Sequence, residues 1–308
     1  MREKKYEKKF SFGIDLEIEL TDYKKIINKY SPYISSVYFS LPSGDKFHTR
    51  IKMKEEYKKV GAKEKLLKIL DLFRNSNVKL EAVINQYNIG IEELKEALCE
   101  LDNFIKVDSI CCLDEYVDVI LEHYTNNIYL ISSFNNSPLH KDNINKLNHK
   151  YNMIVVGKEF MREPQLLEKI KEQNFDVKLL INNGCAFNCG MCRSGRKNCI
   201  ETFKKNTEKF SVEELYAMQS FFPWELDRLM NILEDKNIID EIKISSRPST
   251  YEYLNDCLES YIYNKSVKEY IEKDIYNYHL FGRQANLIPY FKEFNYDEIE
   301  KIKKELWN

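Results

Sequence analysis

Four cysteines fall within the stretch NNGCAFNCGMCRSGRKNC, residues 182 to 199 of a 308-residue chain. Cys185, Cys189 and Cys192 are spaced C-x3-C-x2-C, and Cys199 follows them. Thiolate is the ligand form for both zinc and iron–sulfur clusters, so this spacing points to a metal centre. Structural zinc sites favour paired C-x2-C knuckles or Cys/His sets, whereas this segment has one C-x2-C and no nearby histidine. Together with the apolar Ala186, Phe187 and Met191 between the thiols, the spacing favours a [4Fe–4S] cluster. Cys185, Cys189 and Cys192 are expected ligands. The fourth position belongs to Cys199, to Cys111 or Cys112, or to no thiolate, which leaves one iron open for Lewis-acid chemistry. Cys111 and Cys112 are neighbours in a strand-like run, so one should face the core and the other the opposite side. Cys99 and Cys257 lie in helical patterns with apolar neighbours and are read as packing.

The elements that must position these residues recur as strand-like runs, each followed by a polar turn and a helical pattern. The runs are FSFGIDLEIEL (10–20), VYFSL (37–41), VKLEAVIN (78–85), VDSICCL (107–113), NIYLISSF (127–134), YNMIVVG (151–157), DVKLLIN (176–182) and EIKISS (241–246). Helices are expected between them, among them GIEELKEALCEL, DNINKLNH, SVEELYAMQS and PWELDRLMNILEDK. Alternating β and α units argue for a parallel sheet with helices outside it. Eight such units in about 255 residues suit a closed (β/α)8 barrel of the TIM type. The chain therefore divides into a barrel over 1–263, with its cysteine loop at 182–199, and a helical C-terminal extension over 264–308 packed on the barrel.

In such a barrel, function collects at the C-terminal ends of the strands. Arg50, Asn85, Cys111, Cys112, Asp114, Asn135, Lys158, Glu159, Arg162 and Arg247 fall at those places, and the clustered cysteines follow the seventh strand. Arg247 and Arg162 have the chemistry to bind a substrate carboxylate or phosphate, or equally to pair with a neighbouring glutamate. Lys158 has the chemistry of a general base or Schiff-base lysine, though a paired lysine fits it as well. His48 is the best-placed histidine. Glu17, Glu19 and Glu81 alternate within strand-like runs, and any that face the lumen must be paired.

Composition narrows the class. A net charge of −2 gives no general attraction to nucleic acid, so no DNA partner is expected. No window approaches the ~18 apolar residues of a membrane helix, and MREKKYEKKF lacks the apolar core of a signal peptide. A cytoplasmic protein is expected, where clustered cysteines more often hold a metal than pair as disulfides.

Read alone, C-x3-C-x2-C is the motif of enzymes that reductively cleave S-adenosylmethionine, which would then be a further cofactor. In those enzymes the motif follows the first strand, whereas here it follows the seventh. The stretch VVGKEFMREPQLLEKIKEQNFDVKLLINNGCAFNCGMCR instead resembles a segment of collagenase-like peptidase family U32 proteins. There a late barrel strand runs into Asn-Glu-Gly-Cys-x3-Cys, and Asn182, Gly184, Cys185, Asn188, Cys189 and Arg193 fit that pattern. Lys243 and Arg247 occupy the places of the family's strand ending in Lys-x-x-x-Arg. The chain departs from the pattern at Asn183 and Gly190. This resemblance implies a TIM-like barrel with a cysteine-held [4Fe–4S] cluster. It also implies oxygen-independent hydroxylation of RNA bases or quinone precursors, with prephenate as oxygen source in some members. No Ser/His/Asp or H-E-x-x-H arrangement supports a peptidase. The expected function is an iron–sulfur-dependent redox or hydroxylating enzyme acting on a small molecule, RNA or peptide, served by a reductase or a partner modifying enzyme. The rivals are a radical S-adenosylmethionine enzyme and a non-catalytic electron-transfer or accessory protein.

Overall fold

Each apolar run becomes a short parallel strand, and the eight strands close into a barrel in sequence order. The computed structural model describes residues 6–41, 57–134, 136, 141–181, 221–233, 237–244, 250–264, 301, 303–305 and 307, without the side chains of 141–143, 158 and 159. The strands are β1 (Phe10–Gly13), β2 (Ile34–Ser40), β3 (Lys79–Ile84), β4 (Ser109–Cys112), β5 (Tyr129–Ser132), β6 (Met153–Val156), β7 (Asp176–Leu180) and β8 (Glu241–Ile244). The helices between and after them are α1 (Leu20–Tyr30), α2 (Ala62–Arg74), α3 (Ile91–Phe104), α4 (Val117–His123), α5 (Pro164–Glu172), α6 (Pro223–Ile232) and α7 (Tyr251–Tyr263). β1 pairs in parallel with both β2 and β8, which closes the ring. Among the described residues, no helix is long and apolar enough to cross a membrane.

The period-two alternation of each strand sorts its side chains onto two faces. Phe10, Phe12, Val37, Phe39, Leu80, Ala82, Ile110, Val177, Leu179, Ile242 and Ile244 join the core between barrel and helices. The helices answer with one apolar stripe each. In α3 it is Leu94, Ala97, Leu98 and Leu101, at helical spacing. Phe73 of α2 meets Phe12 and Tyr23 edge-on, with ring centroids 5.7 and 5.5 Å apart, fixing α1 and α2 on β1. At the N-terminal end of the barrel, Lys171 bridges Asp176 at 2.8 Å and Asp240 at 2.7 Å, tying β7 to the approach of β8.

Three expectations need correction. The first strand ends at Gly13, not near residue 20, because the Asp15 carboxylate accepts the Glu17 N–H at 2.9 Å and turns the chain. Glu17 and Glu19 therefore lie exposed outside the strand. Lys141–Lys146 forms a 3-10 helix instead of an α-helix. Its asparagines favour local backbone contacts over regular helix, which accounts for the shorter form. Cys99 is exposed on α3, because it lies off the buried stripe that Leu98 and Leu101 occupy. The expected helix SVEELYAMQS and most of the C-terminal extension lie outside the described residues.

Gly157, after β6, is closely packed by two side chains. A Cβ there would stand 3.0 Å from a ring carbon of Phe134 and 3.1 Å from the Leu180 Cβ. Its φ of −159° is ordinary extended backbone, so the constraint is packing alone. Gly157→Val is expected to cost about 1–3 kcal/mol by overpacking. Equilibrium urea unfolding of the two proteins measures this, and an unchanged midpoint would contradict it.

Candidate functional site

The inward faces of the strands are not uniformly apolar. Lys178 of β7 is fully buried in the lumen, although its neighbours Val177, Leu179, Leu180 and Ile181 are all apolar. A buried ammonium requires paired charge, and two glutamates supply it. Glu81 of β3 and Glu241 of β8 each contact Lys178 Nζ. Ser36 of β2 donates to Glu241 Oε1 at 2.9 Å, and Lys243 of β8 reaches Glu81 Oε1 at 3.4 Å. Four strands thus share one ionic layer across the lumen.

Burial by itself would push the Glu81 carboxyl up, but the ammoniums of Lys178 and then Lys243 outweigh it and hold it below the usual carboxylate range. For Lys178, burial favours loss of the proton, yet Glu241 and Glu81 outweigh it and hold the ammonium above its ordinary value. Glu81 therefore contributes stability that is present above its unfolded pKa and lost as pH falls through the lowered folded value. Lys178 contributes stability that is present below its unfolded pKa and lost as pH rises through the raised one.

Beside this layer, Tyr38, Val83, Cys111, Ile131, Met153, Val155 and Leu180 form a second, inner cluster. Tyr38 is fixed there by donating its hydroxyl to the Ile244 carbonyl at 2.6 Å. Cys111 belongs to this inner cluster and Cys112 to the outer core, where its thiol approaches the Tyr151 hydroxyl at 4.0 Å. Burial pushes the Cys111 thiol up to about 11, with Lys243 working against that shift and Glu81 with it. Burial also raises Cys112 well above an ordinary thiol. Neither is a ready thiolate at neutral pH, and a metal's positive charge would have to offset burial before either became a ligand.

At the C-terminal ends of β4 and β5, Asn136 ties the strand ends together. Its amide donates to Ser132 Oγ at 2.9 Å and to the Tyr151 hydroxyl at 3.1 Å, and its oxygen accepts the Asp114 N–H at 3.0 Å. Arg162, from the 3-10 helix Lys158–Arg162 after β6, pairs with a glutamate. Its Nε donates to Glu225 Oε1 at 2.8 Å, and its side chain is 6% exposed. Glu225, fully buried at the third position of α6, also accepts the Phe222 N–H at 2.7 Å, Lys303 Nζ at 2.9 Å and Trp307 Nε1 at 3.1 Å. Burial would raise its carboxyl, but Lys303 and Arg162 hold it below the ordinary value.

This hub stands beside the end of the cysteine-bearing segment 182–220. The Phe221 N–H donates to the Ile181 carbonyl at 2.8 Å, so the described residues on either side of 182–220 meet at the C-terminal end of β7. Tyr261 of α7 donates to the Phe221 carbonyl at 2.9 Å, and the Arg162 guanidinium lies 4.8 Å from the Phe221 ring centroid. Arg162 thus holds the segment's exit. Cys185, Cys189, Cys192, Cys199, Arg247, Arg50, His48 and Asn135 lie outside the described residues, as do the side chains of Lys158 and Glu159. Among the described residues, no group of three or more His, Cys, Asp or Glu side chains converges to hold a metal ion.

Lys178, Glu241, Ser36, Tyr38 and Glu225 were not among the expected site residues. The available signal for Lys178 and Glu241 was a charge on the inward phase of a strand whose other phase is apolar. Lys178→Met leaves Glu241 without its cation and is expected to lower stability by about 3–5 kcal/mol at pH 7. Glu81 would keep only its longer contact with Lys243, so burial would then favour its protonated form and the variant should gain stability on acidification from pH 7 to 5. The parent should not gain over that range. Chemical unfolding across pH measures both, and parallel pH profiles would contradict the pairing.

No family profile matches the chain, and no curated protein matches it. Among solved structures it is similar to a conserved protein of unknown function from a locus in Enterococcus faecalis, at 12% identity over 83% of this chain and 65% of that one, with a TM-score of 0.43. It is also similar to an uncharacterized B. cereus protein, at 11% identity over 83% of this chain and 65% of that one, TM-score 0.38. A third is the N-terminal domain of a "putative aldolase" from Bacteroides vulgatus, at 12% identity over 95% of this chain and 99% of that one, TM-score 0.40. The chain spans 65% of the length of the first two.

Proposed function

We propose that this chain is an enzyme working at the C-terminal mouth of its barrel with a [4Fe–4S] cluster held by Cys185, Cys189 and Cys192. Cys199 is the fourth ligand, or one iron is left to the substrate. The observation that carries the reading is that Ile181 and Phe221, the described residues on either side of the cysteine-bearing stretch, are hydrogen-bonded to each other at the C-terminal end of β7, where this architecture assembles active sites. The donor set supports it as well, since four thiols at this spacing match iron–sulfur ligation better than a structural zinc site. The resemblance to family U32 points the same way.

When bound, such a cluster supplies one-electron redox chemistry and, with an open iron, coordination of a substrate oxygen. The chain's own residues supply the frame. Glu225 and Arg162 fix Phe221 at the segment's C-terminal flank, and the ionic layer ties β3, β7 and β8 together in the lumen. The reaction is a redox change or an oxygen-independent hydroxylation of a small molecule, RNA or peptide, with electrons delivered by a reductase or a partner modifying enzyme.

Anaerobic reconstitution of the parent and of single Cys→Ala variants tests this. Cys185→Ala, Cys189→Ala and Cys192→Ala are each expected to lose most of the bound iron and the broad visible absorbance. Cys199→Ala tests the fourth position, since loss of the cluster makes Cys199 a ligand and its retention leaves Cys111, Cys112 or an open iron. A colourless parent that binds zinc would refute the proposal. Formation of 5′-deoxyadenosine with S-adenosylmethionine and dithionite would establish the radical reading in its place.

A further inference from the structure

Glu225 divides its oxygens evenly between two sets of donors. Oε1 accepts Arg162 Nε at 2.8 Å and Trp307 Nε1 at 3.1 Å. Oε2 accepts the Phe222 N–H at 2.7 Å and Lys303 Nζ at 2.9 Å. On each oxygen one donor belongs to the turn after β6 or to the start of α6, and the other comes from residues 303–307. Those late residues also cover the two phenylalanines that precede α6. The Trp307 and Phe221 ring centroids are 5.9 Å apart, and Lys303 Nζ stands 4.4 Å from the Phe222 ring centroid. On the outer side, exposed Arg228 of α6 donates to the Trp307 carbonyl at 3.1 Å and lies 5.4 Å from the Trp307 ring centroid. Lys303 is buried, whereas Lys304 and Glu305 beside it are exposed.

We propose that residues 303–307 are a latch that docks reversibly on Glu225, and that its release loosens Phe221 while the barrel stays folded. Reversible docking needs a buried acceptor that is satisfied in both states, and Glu225 meets that condition. With the latch away, Arg162 still pairs with Oε1 and the Phe222 N–H still donates to Oε2. The carboxylate thus keeps a cation and a helix-start hydrogen bond. Among the described residues, release breaks contacts of Lys303, Trp307 and Arg228 and no strand pairing. That places it with local openings of lower free energy than global unfolding. Phe221 loses the Trp307 ring and keeps its bonds to Ile181 and Tyr261. Its N–H joins the C-terminal end of β7, so the latch adjusts the backbone on the C-terminal side of the cysteine-bearing stretch. The device goes beyond the iron–sulfur reading and stands on the Glu225 contacts alone.

The test uses the full chain labelled with 15N in its two tryptophans, whose indole N–H signals are told apart by Trp307→Phe. Solvent exchange of the Trp307 indole proton reads latch release directly. Mass spectrometry reads amide exchange at Phe221 and in β2 and β3. In the parent, the indole proton and the Phe221 amide are expected to exchange faster than the strand amides, and with a weaker dependence on urea. Lys303→Met should speed both about tenfold and leave the two strands unchanged. Arg228→Ala, at an exposed position, should act the same way more weakly, which retains the test if the methionine variant does not fold. An indole proton that exchanges only with the strands, an unmoved Phe221 amide, or a variant that speeds the strands equally would each overturn the proposal. None of these readings depends on bound iron, so failure here and failure of the iron–sulfur assignment are distinguishable.

Discussion

Lys178 is the constraint on which the barrel turns. An ammonium with no exposure cannot stay charged without partners, and it has two carboxylates against it. Those partners come from β3 and β8, while Lys178 itself lies on β7. The pairing therefore requires that strands distant in sequence face a common lumen, which an open sheet would not provide for all three. A buried ion pair is weak evidence for net stability, since apolar residues of similar volume often do as well. Its effect here is on geometry. The layer fixes which phase of each strand faces inward, because a one-residue slip would carry Lys178 into the apolar core behind the sheet.

Glu225 plays the corresponding part outside the lumen. It gathers Arg162 from the turn after β6, the backbone N–H at the start of α6, and Lys303 and Trp307 from near the C-terminus. Phe221, the first described residue after 182–220, lies at this hub, and its N–H donates to the Ile181 carbonyl.

Much of the fold was legible because its signals are local. Eight apolar runs, each followed by a turn and a helical pattern, yielded the strand count and the parallel order. The alternation of Val177, Lys178, Leu179 and Leu180 says which side chains face the lumen once a barrel is assumed. Where reading failed, a local pattern was extended too far. The acidic alternation through Glu17 and Glu19 looks like strand, but the Asp15 turn ends it. Cys99 has apolar neighbours, yet one helical step turns it to solvent. Glu225 was legible only as a helix-start residue three positions after Phe222. Its partners Arg162 and Lys303 stand 63 and 78 residues away, and no local pattern encodes pairings at that range.

The proposed iron–sulfur centre on Cys185, Cys189 and Cys192 is open to Mössbauer spectroscopy of chain produced with 57Fe and purified without oxygen, with iron and sulfide counted on the same sample. The expected result is the signature of a [4Fe–4S] cluster with about four irons and about four sulfides per chain. One zinc per chain with no sulfide would contradict the assignment and make the segment a structural knuckle.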